Sequence, residues 1–151
     1  MSAYHILATN HTSFTVSNLD QTIPFYTDVL GFELLHRGPR DPDFTERVVG
    51  VPGAVIEVAY LQGPGHRLEL IQYHAPKERL QLDSRPCDTG FAHIAFDVDD
   101  IDAVLSAAKQ AGVEPIGPPQ SLNAGPNKGG KVVYTRDPDG ITVEFIQKPR
   151  A

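Results

Sequence analysis

His11-Thr-Ser-Phe14-Thr-Val16-Ser-Asn-Leu19-Asp20 returns as His93-Ile-Ala-Phe96-Asp-Val98-Asp-Asp-Ile101-Asp102, at a constant offset of 82 residues (93 − 11, and again 102 − 20). A second echo lies downstream of each copy, where Leu68-Glu69-Leu70-Ile71-Gln72 is answered by Val143-Glu144-Phe145-Ile146-Gln147. Within each long phrase the apolar residues alternate with polar ones, as in a strand buried on one face. The phrase then ends on Leu-Asp or Ile-Asp, where a helix opens. An internal repeat of this length says that one supersecondary unit is used twice.

Working outward, Thr12 to Val16 reads as a strand and Gln21 to Leu30 as a helix, with Pro24 in the first turn and Gly31 closing it. Phe32 to His36 reads as a strand, and Arg37 to Pro52 mostly as loop. Ala54 to Leu61 and Arg67 to Tyr73 are β-rich runs around a hairpin signal, Gln62-Gly-Pro-Gly-His66. Residues 75–90 carry few signals and connect the halves. The order then recurs: strand Phe91 to Val98, and helix Asp102 to Ala111 capped by Asp99 or Asp100 and ended by Gly112. A short strand, Val113 to Ile116, precedes a Pro/Gly/Asn-rich loop to Gly130. Strand Lys131 to Thr135, the turn Asp137-Pro-Asp-Gly140 and strand Ile141 to Gln147 complete the second half. The expected architecture is α+β, one domain over 1–151 built from two tandem βαβββ modules, at about 8–74 and 91–148.

The chain has 151 residues, 40% hydrophobic and 21% charged, with a net charge of −6. These values suit a globular domain and exclude disorder. No basic cluster offers the electrostatic footprint of a nucleic-acid partner. No apolar run is long enough to span a membrane, and the N-terminus is too short and polar for a signal peptide. The single cysteine, Cys87, excludes an internal disulfide. A cytoplasmic protein acting on a small molecule is the expectation.

Strand phase gives the repeat a chemical meaning. Ile94, Phe96 and Val98 form the face that suits a helix, so His93, Ala95 and Asp97 share the opposite one. His11, Ser13 and Thr15 obey the same phase. Glu69 shares its face with Ile71 and Tyr73, and Glu144 with Thr142 and Ile146. If the two sheets curl together, His11, Glu69, His93 and Glu144 line the concave side. Two imidazoles and two carboxylates suit one divalent metal, with zinc, nickel, cobalt, manganese and iron all compatible. Other clusters carry less. Asp97, Asp99, Asp100 and Asp102 lack the spacing of a calcium loop and read as helix caps. Asp137 to Gly140 is turn chemistry. Glu57 is a reserve acid or base, and Arg47, Lys131 and Arg136 are candidates for holding an anionic group.

At these residues the chain resembles the vicinal oxygen chelate superfamily of glyoxalase I, methylmalonyl-CoA epimerase, extradiol dioxygenases, and bleomycin and fosfomycin resistance proteins. The marks are His11 with Leu19-Asp20, Phe25-Tyr26 and Val29-Leu-Gly-Phe32, then Gly90-Phe-Ala-His93, and Asp137-Pro-Asp-Gly140 leading into Glu144. The resemblance runs from His11 to Gln147. It implies a cupped, mostly antiparallel sheet around one metal held by His11, Glu69, His93 and Glu144, helices on the outer face, and a homodimer. The four-ligand pattern is most similar to glyoxalase I and the sugar or acyl-CoA epimerases. The stretch Glu46-Arg-Val-Val-Gly-Val-Pro-Gly-Ala54 also resembles a group related to epimerases of cyclitols such as 2-epi-5-epi-valiolone. Pro52-Gly53 stands where methylmalonyl-CoA epimerases carry an extra catalytic Glu, which argues against that activity.

Three functions are then expected in order. The first is a metal-dependent epimerase, isomerase or lyase that removes a proton beside a carbonyl of a substrate chelated through two vicinal oxygens. Glu144 serves as base and Glu69 as its counterpart. The second is an iron-dependent ring-cleaving dioxygenase, and the third a non-catalytic small-molecule binding or resistance protein.

Overall fold

Both copies of the repeated phrase become a strand followed by a helix. The computed structural model describes residues 4–149, and these fall into two units that divide between Lys77 and Glu78. The first contains β1 (Thr12–Val16), α1 (Leu19–Pro24), β2 (Glu33–Pro39), α2 (Pro42–Val49), β3 (Val55–Gly63) and β4 (His66–Ala75). The second contains β5 (His93–Val98), α3 (Ile101–Gln110), β6 (Glu114–Pro115), β7 (Gln120–Ser121), β8 (Lys131–Arg136) and β9 (Thr142–Gln147). The class is α+β; each unit follows a βαβββ plan, with α2 inserted between β2 and β3 in the first and the short β7 added in the second. No helix among the described residues is long and apolar enough to cross a membrane.

The sheet orders match: β1-β4-β3-β2 in the first unit and β5-β9-β8-β6 in the second, where β7 also pairs with β8. In each sheet the first strand runs parallel to the last, and the other pairs are antiparallel. Helix α1 packs on β4, and α3 on β9. Leu19, Leu61, Leu68 and Leu70 are fully buried in the first unit, as are Ile101, Val113, Val143 and Phe145 in the second.

Helix starts are fixed twice over. Asn18 Oδ1 accepts from Asp20 N at 2.9 Å, and Asp100 Oδ1 accepts from Asp102 N and Ala103 N at 3.0 Å. A strand side chain then satisfies the first helical residue. Gln72 Oε1 accepts from Leu19 N, and Gln147 Oε1 from Ile101 N, both at 2.8 Å. The echoed glutamines therefore tie each helix to its sheet.

Two sequence expectations are corrected. The helix predicted over Gln21 to Leu30 is α-helical only to Pro24, then widens into a π-helical turn over Phe25–Val29, with Leu30 N bonded to Phe25 O at 3.2 Å. Pro24 has no N–H for an α-helical bond, and the wide turn lets adjacent Phe25 and Tyr26 both be buried. Their rings meet at 5.0 Å between centroids, and Tyr26 meets Phe32 at 5.7 Å. Next, the stretch predicted as loop contains α2. Asp41 caps it through Phe44 N at 2.7 Å, Pro42 opens it and Gly50 ends it at φ 68°. The connecting segment from Glu78 on groups with the second unit, where Gln81 Nε2 donates to Pro138 O at 3.0 Å.

Candidate functional site

Cross-strand register determines which residues share a face. In the first unit Ser13 and Tyr60 both pair with Glu69, on either side of it. His11, two residues before Ser13, lies on that same face. In the second unit Ala95 and Tyr134 both pair with Glu144, and His93 stands two residues before Ala95. Gln72 and Gln147, bonded to the helices, point to the other face. Each unit thus carries His, Glu and Tyr in the same relation, on the face its helix leaves uncovered.

The geometry matches in both. His11 Nε2 lies 3.4 Å from Glu69 Oε2, and His93 Nε2 lies 3.1 Å from Glu144 Oε2. The imidazoles are about a third exposed (31% and 33%) and the carboxylates largely covered (13% and 15%), so an ion can reach both pairs from solvent. Two ligands bound at about 2.1 Å and at right angles stand about 3.0 Å apart, so either pair fits as neighbouring ligands on one ion. Asn10 Oδ1 accepts from His11 Nδ1 at 2.7 Å, which fixes the proton there and leaves Nε2 as a lone pair. No third His, Cys, Asp or Glu joins either pair among the described residues.

The tyrosines buttress these pairs. The Glu69 carboxylate beside it first, then burial, raises the Tyr60 hydroxyl above the usual tyrosine range. The Tyr60 ring meets the His11 ring edge-on at 5.9 Å. Tyr134 lies 4.9 Å from the His93 ring, with its hydroxyl 3.4 Å from Nε2. Burial, then the charge of Glu144, raises the Tyr134 phenol. Neither tyrosine was singled out in the sequence, although each pairs directly with a candidate glutamate. Their spacing to that glutamate differs by one residue between halves, which hides the match.

The reserve candidates fall elsewhere. Glu57 pairs with Gln72 and so lies on the helix side. It receives Arg37 Nε at 2.8 Å, and that bond holds its carboxyl below the ordinary range. Lys131 reaches Asp102 at 3.4 Å, and Arg136 is bonded to Asp83 and Ser84 O. Cys87 is exposed.

With this geometry in view, comparison with known proteins is decisive for the family. Residues 8–145 match the model of the Glyoxalase/Bleomycin resistance protein/Dioxygenase superfamily. The chain belongs to this superfamily. It is 37% identical over 148 residues to a 2-epi-5-epi-valiolone epimerase from Actinomyces sp, covering 95% of this chain and 80% of that protein. It is 36% identical to a probable lactoylglutathione lyase from Vibrio parahaemolyticus, covering 93% of this chain and 91% of that one. Both relatives are named as enzymes, and the coarse class follows: an enzyme of the glyoxalase superfamily. Among solved structures, a glyoxalase family protein from Bacillus cereus has the same fold, with a TM-score of 0.85 at 24% identity over 99% of each chain. A fosfomycin resistance protein from Listeria monocytogenes, complexed with Mn(II) and sulfate, gives a TM-score of 0.62 at 19% identity over 95% of this chain and 93% of that one.

Proposed function

We propose that His11, Glu69, His93 and Glu144 are the protein ligands of one divalent ion, and that this enzyme is an epimerase, isomerase or lyase working beside a carbonyl. The reading is carried by the His–Glu pair built twice with the same strand register and a tyrosine at its side. The Mn(II) complex of the Listeria fold relative supports it.

The ion, when bound, supplies Lewis acidity for the anion formed as a C–H proton beside a substrate carbonyl leaves. Glu144 takes that proton, and Glu69 is its counterpart on the matching strand. Returning the proton to the opposite face gives epimerisation, and to the neighbouring carbon gives isomerisation. Tyr60 pairs with Glu69 across the strands and meets His11 edge-on, and Tyr134 packs on His93. The ligand pairs are therefore oriented before substrate arrives.

The relatives direct the choice of test compound: 2-epi-5-epi-valiolone, and lactoylglutathione. In deuterated solvent the metal-loaded enzyme should exchange deuterium into its substrate. Glu69→Gln or Glu144→Gln should abolish exchange; unchanged exchange in both variants overturns the mechanism. Consumption of oxygen with a catechol-like substrate would instead select ring cleavage.

A further inference from the structure

Arg67 stands on the same strand as Glu69, two residues before it, and therefore on the same sheet face. Its cross-strand partner is Gln62. The Arg67 Nε is buried and has no hydrogen-bond partner, and among the described residues its guanidinium forms no ion pair. Other arginines are committed: Arg37 to Asp20 and Glu57, Arg85 to Asp88, Arg136 to Asp83. A buried donor left unmade is costly, and a partner from outside the chain would satisfy this one.

The surroundings say what kind of partner. Arg67 lines a cleft of about 320 Å³ with Thr9, Asn10, Gln62, Gly65 and His66. No carboxylate lines it. Of its polar neighbours, His66 Nε2 is engaged with Thr12 Oγ1 at 2.8 Å, Gln62 Nε2 with Gly63 O and His66 O at 2.8 and 3.0 Å, and Asn10 Oδ1 with His11. The cleft therefore offers one uncommitted cation, whose planar fork matches an oxyanion. Asn10 belongs to this cleft and also holds His11, so the cleft adjoins the proposed metal ligands. Two residues along a strand set the anion about 7 Å from the level of Glu69.

We propose that this cleft takes an oxyanion, phosphate or carboxylate, at the end of the substrate away from its reacting carbonyl, with Arg67 as the residue that selects anionic substrates. The proposal rests on the reading of His11 and Glu69 as metal ligands for its placement in the reaction. Arg47, Lys131 and Arg136, the cations that the sequence offers, are not required.

The test is calorimetric titration of the full chain, stripped of metal, with inorganic phosphate and separately with acetate at low ionic strength. Saturable binding of at least one is expected, and the stronger names the oxyanion. Arg67→Met should lose about tenfold or more in affinity, the worth of a charge-assisted pair. Arg67→Lys should retain part of it, and Arg47→Met all of it. If Arg67→Met does not fold by circular dichroism, Arg67→Gln replaces it. No saturable binding by wild type, or equal binding by the Arg67 variants, overturns the proposal. Manganese titration of the same proteins separates the two readings. Arg67→Met should bind manganese as wild type does. Phosphate binding without any manganese binding removes the metal reading while leaving the anion cleft in place.

Discussion

The hydrogen bond from His11 Nδ1 to Asn10 decides which ring nitrogen can face an ion. Asn10→Ala frees the ring to rotate and to place its proton on either nitrogen. Metal affinity should fall about tenfold, a usual effect of losing such an orienting partner. Unfolding stability should stay near wild type, since Asn10 is exposed. Competition against a chelator measures the first, and an unchanged affinity would remove Asn10 from the account. Asp137 makes a different prediction. Burial pushes its carboxyl up from 3.8 to about 6, against backbone hydrogen bonds that hold it down, among them those from Ile141 N and Asp139 N at 2.8 and 2.9 Å. Between pH 4 and 6 the folded chain keeps a proton that the unfolded chain has released. This residue's stabilisation is therefore full below about pH 4 and is lost as pH rises through about 6, by up to about 3 kcal/mol. Asp137→Asn keeps an acceptor and cannot ionise. Its urea midpoint relative to wild type should rise across that window, and parallel profiles would refute the assignment.

At the scale of elements, the glutamines show that a repeated polar residue need not be functional. Gln72 and Gln147 recur as faithfully as Glu69 and Glu144, yet they serve the buried first residues of α1 and α3. Gln147→Ala strands the Ile101 N–H, and unfolding free energy should drop by about 1–2 kcal/mol. Gln147→Glu retains the acceptor and should recover most of that in a denaturant titration at neutral pH. Equal stability of all three proteins would show that water replaces the bond. What separates the glutamates from the glutamines is strand phase, which was legible in the sequence. The first face of each strand goes to its helix, and the second is left uncovered by it. Helix α2 was not legible, because Pro42 and the charges around it look like loop residues, and only Thr45 of this helix is buried. Its caps, Asp41-Pro42 and Gly50, were nevertheless in the sequence. The π-helical turn was illegible for another reason. Burial of two adjacent aromatic residues after Pro24 selects it over a continued α-helix.

For the whole molecule, the repeat made the βαβββ plan of each unit readable, because one pattern seen twice carries more weight than either copy. The tyrosines and Arg67 escaped because their roles depend on cross-strand register, which no single segment contains. The same register yields two His–Glu pairs, one per unit, and the proposed function needs both pairs on a single ion. That requirement has a countable consequence. If the pairs share one ion, the chain binds one equivalent of manganese. His11→Ala and His93→Ala, changes in different units, should then weaken the same binding event. If each pair is a site of its own, wild type binds two equivalents and each variant keeps one. Thermal unfolding gives a second readout of the same choice. A ligand at a hundred times its dissociation constant adds about 2.7 kcal/mol, and a shared ion loses that gain through either substitution alone. The expected result is one equivalent, with the metal-induced rise in Tm removed by either histidine variant. Two equivalents, or a rise that survives either substitution, would dissolve the four-ligand centre into two unrelated pairs.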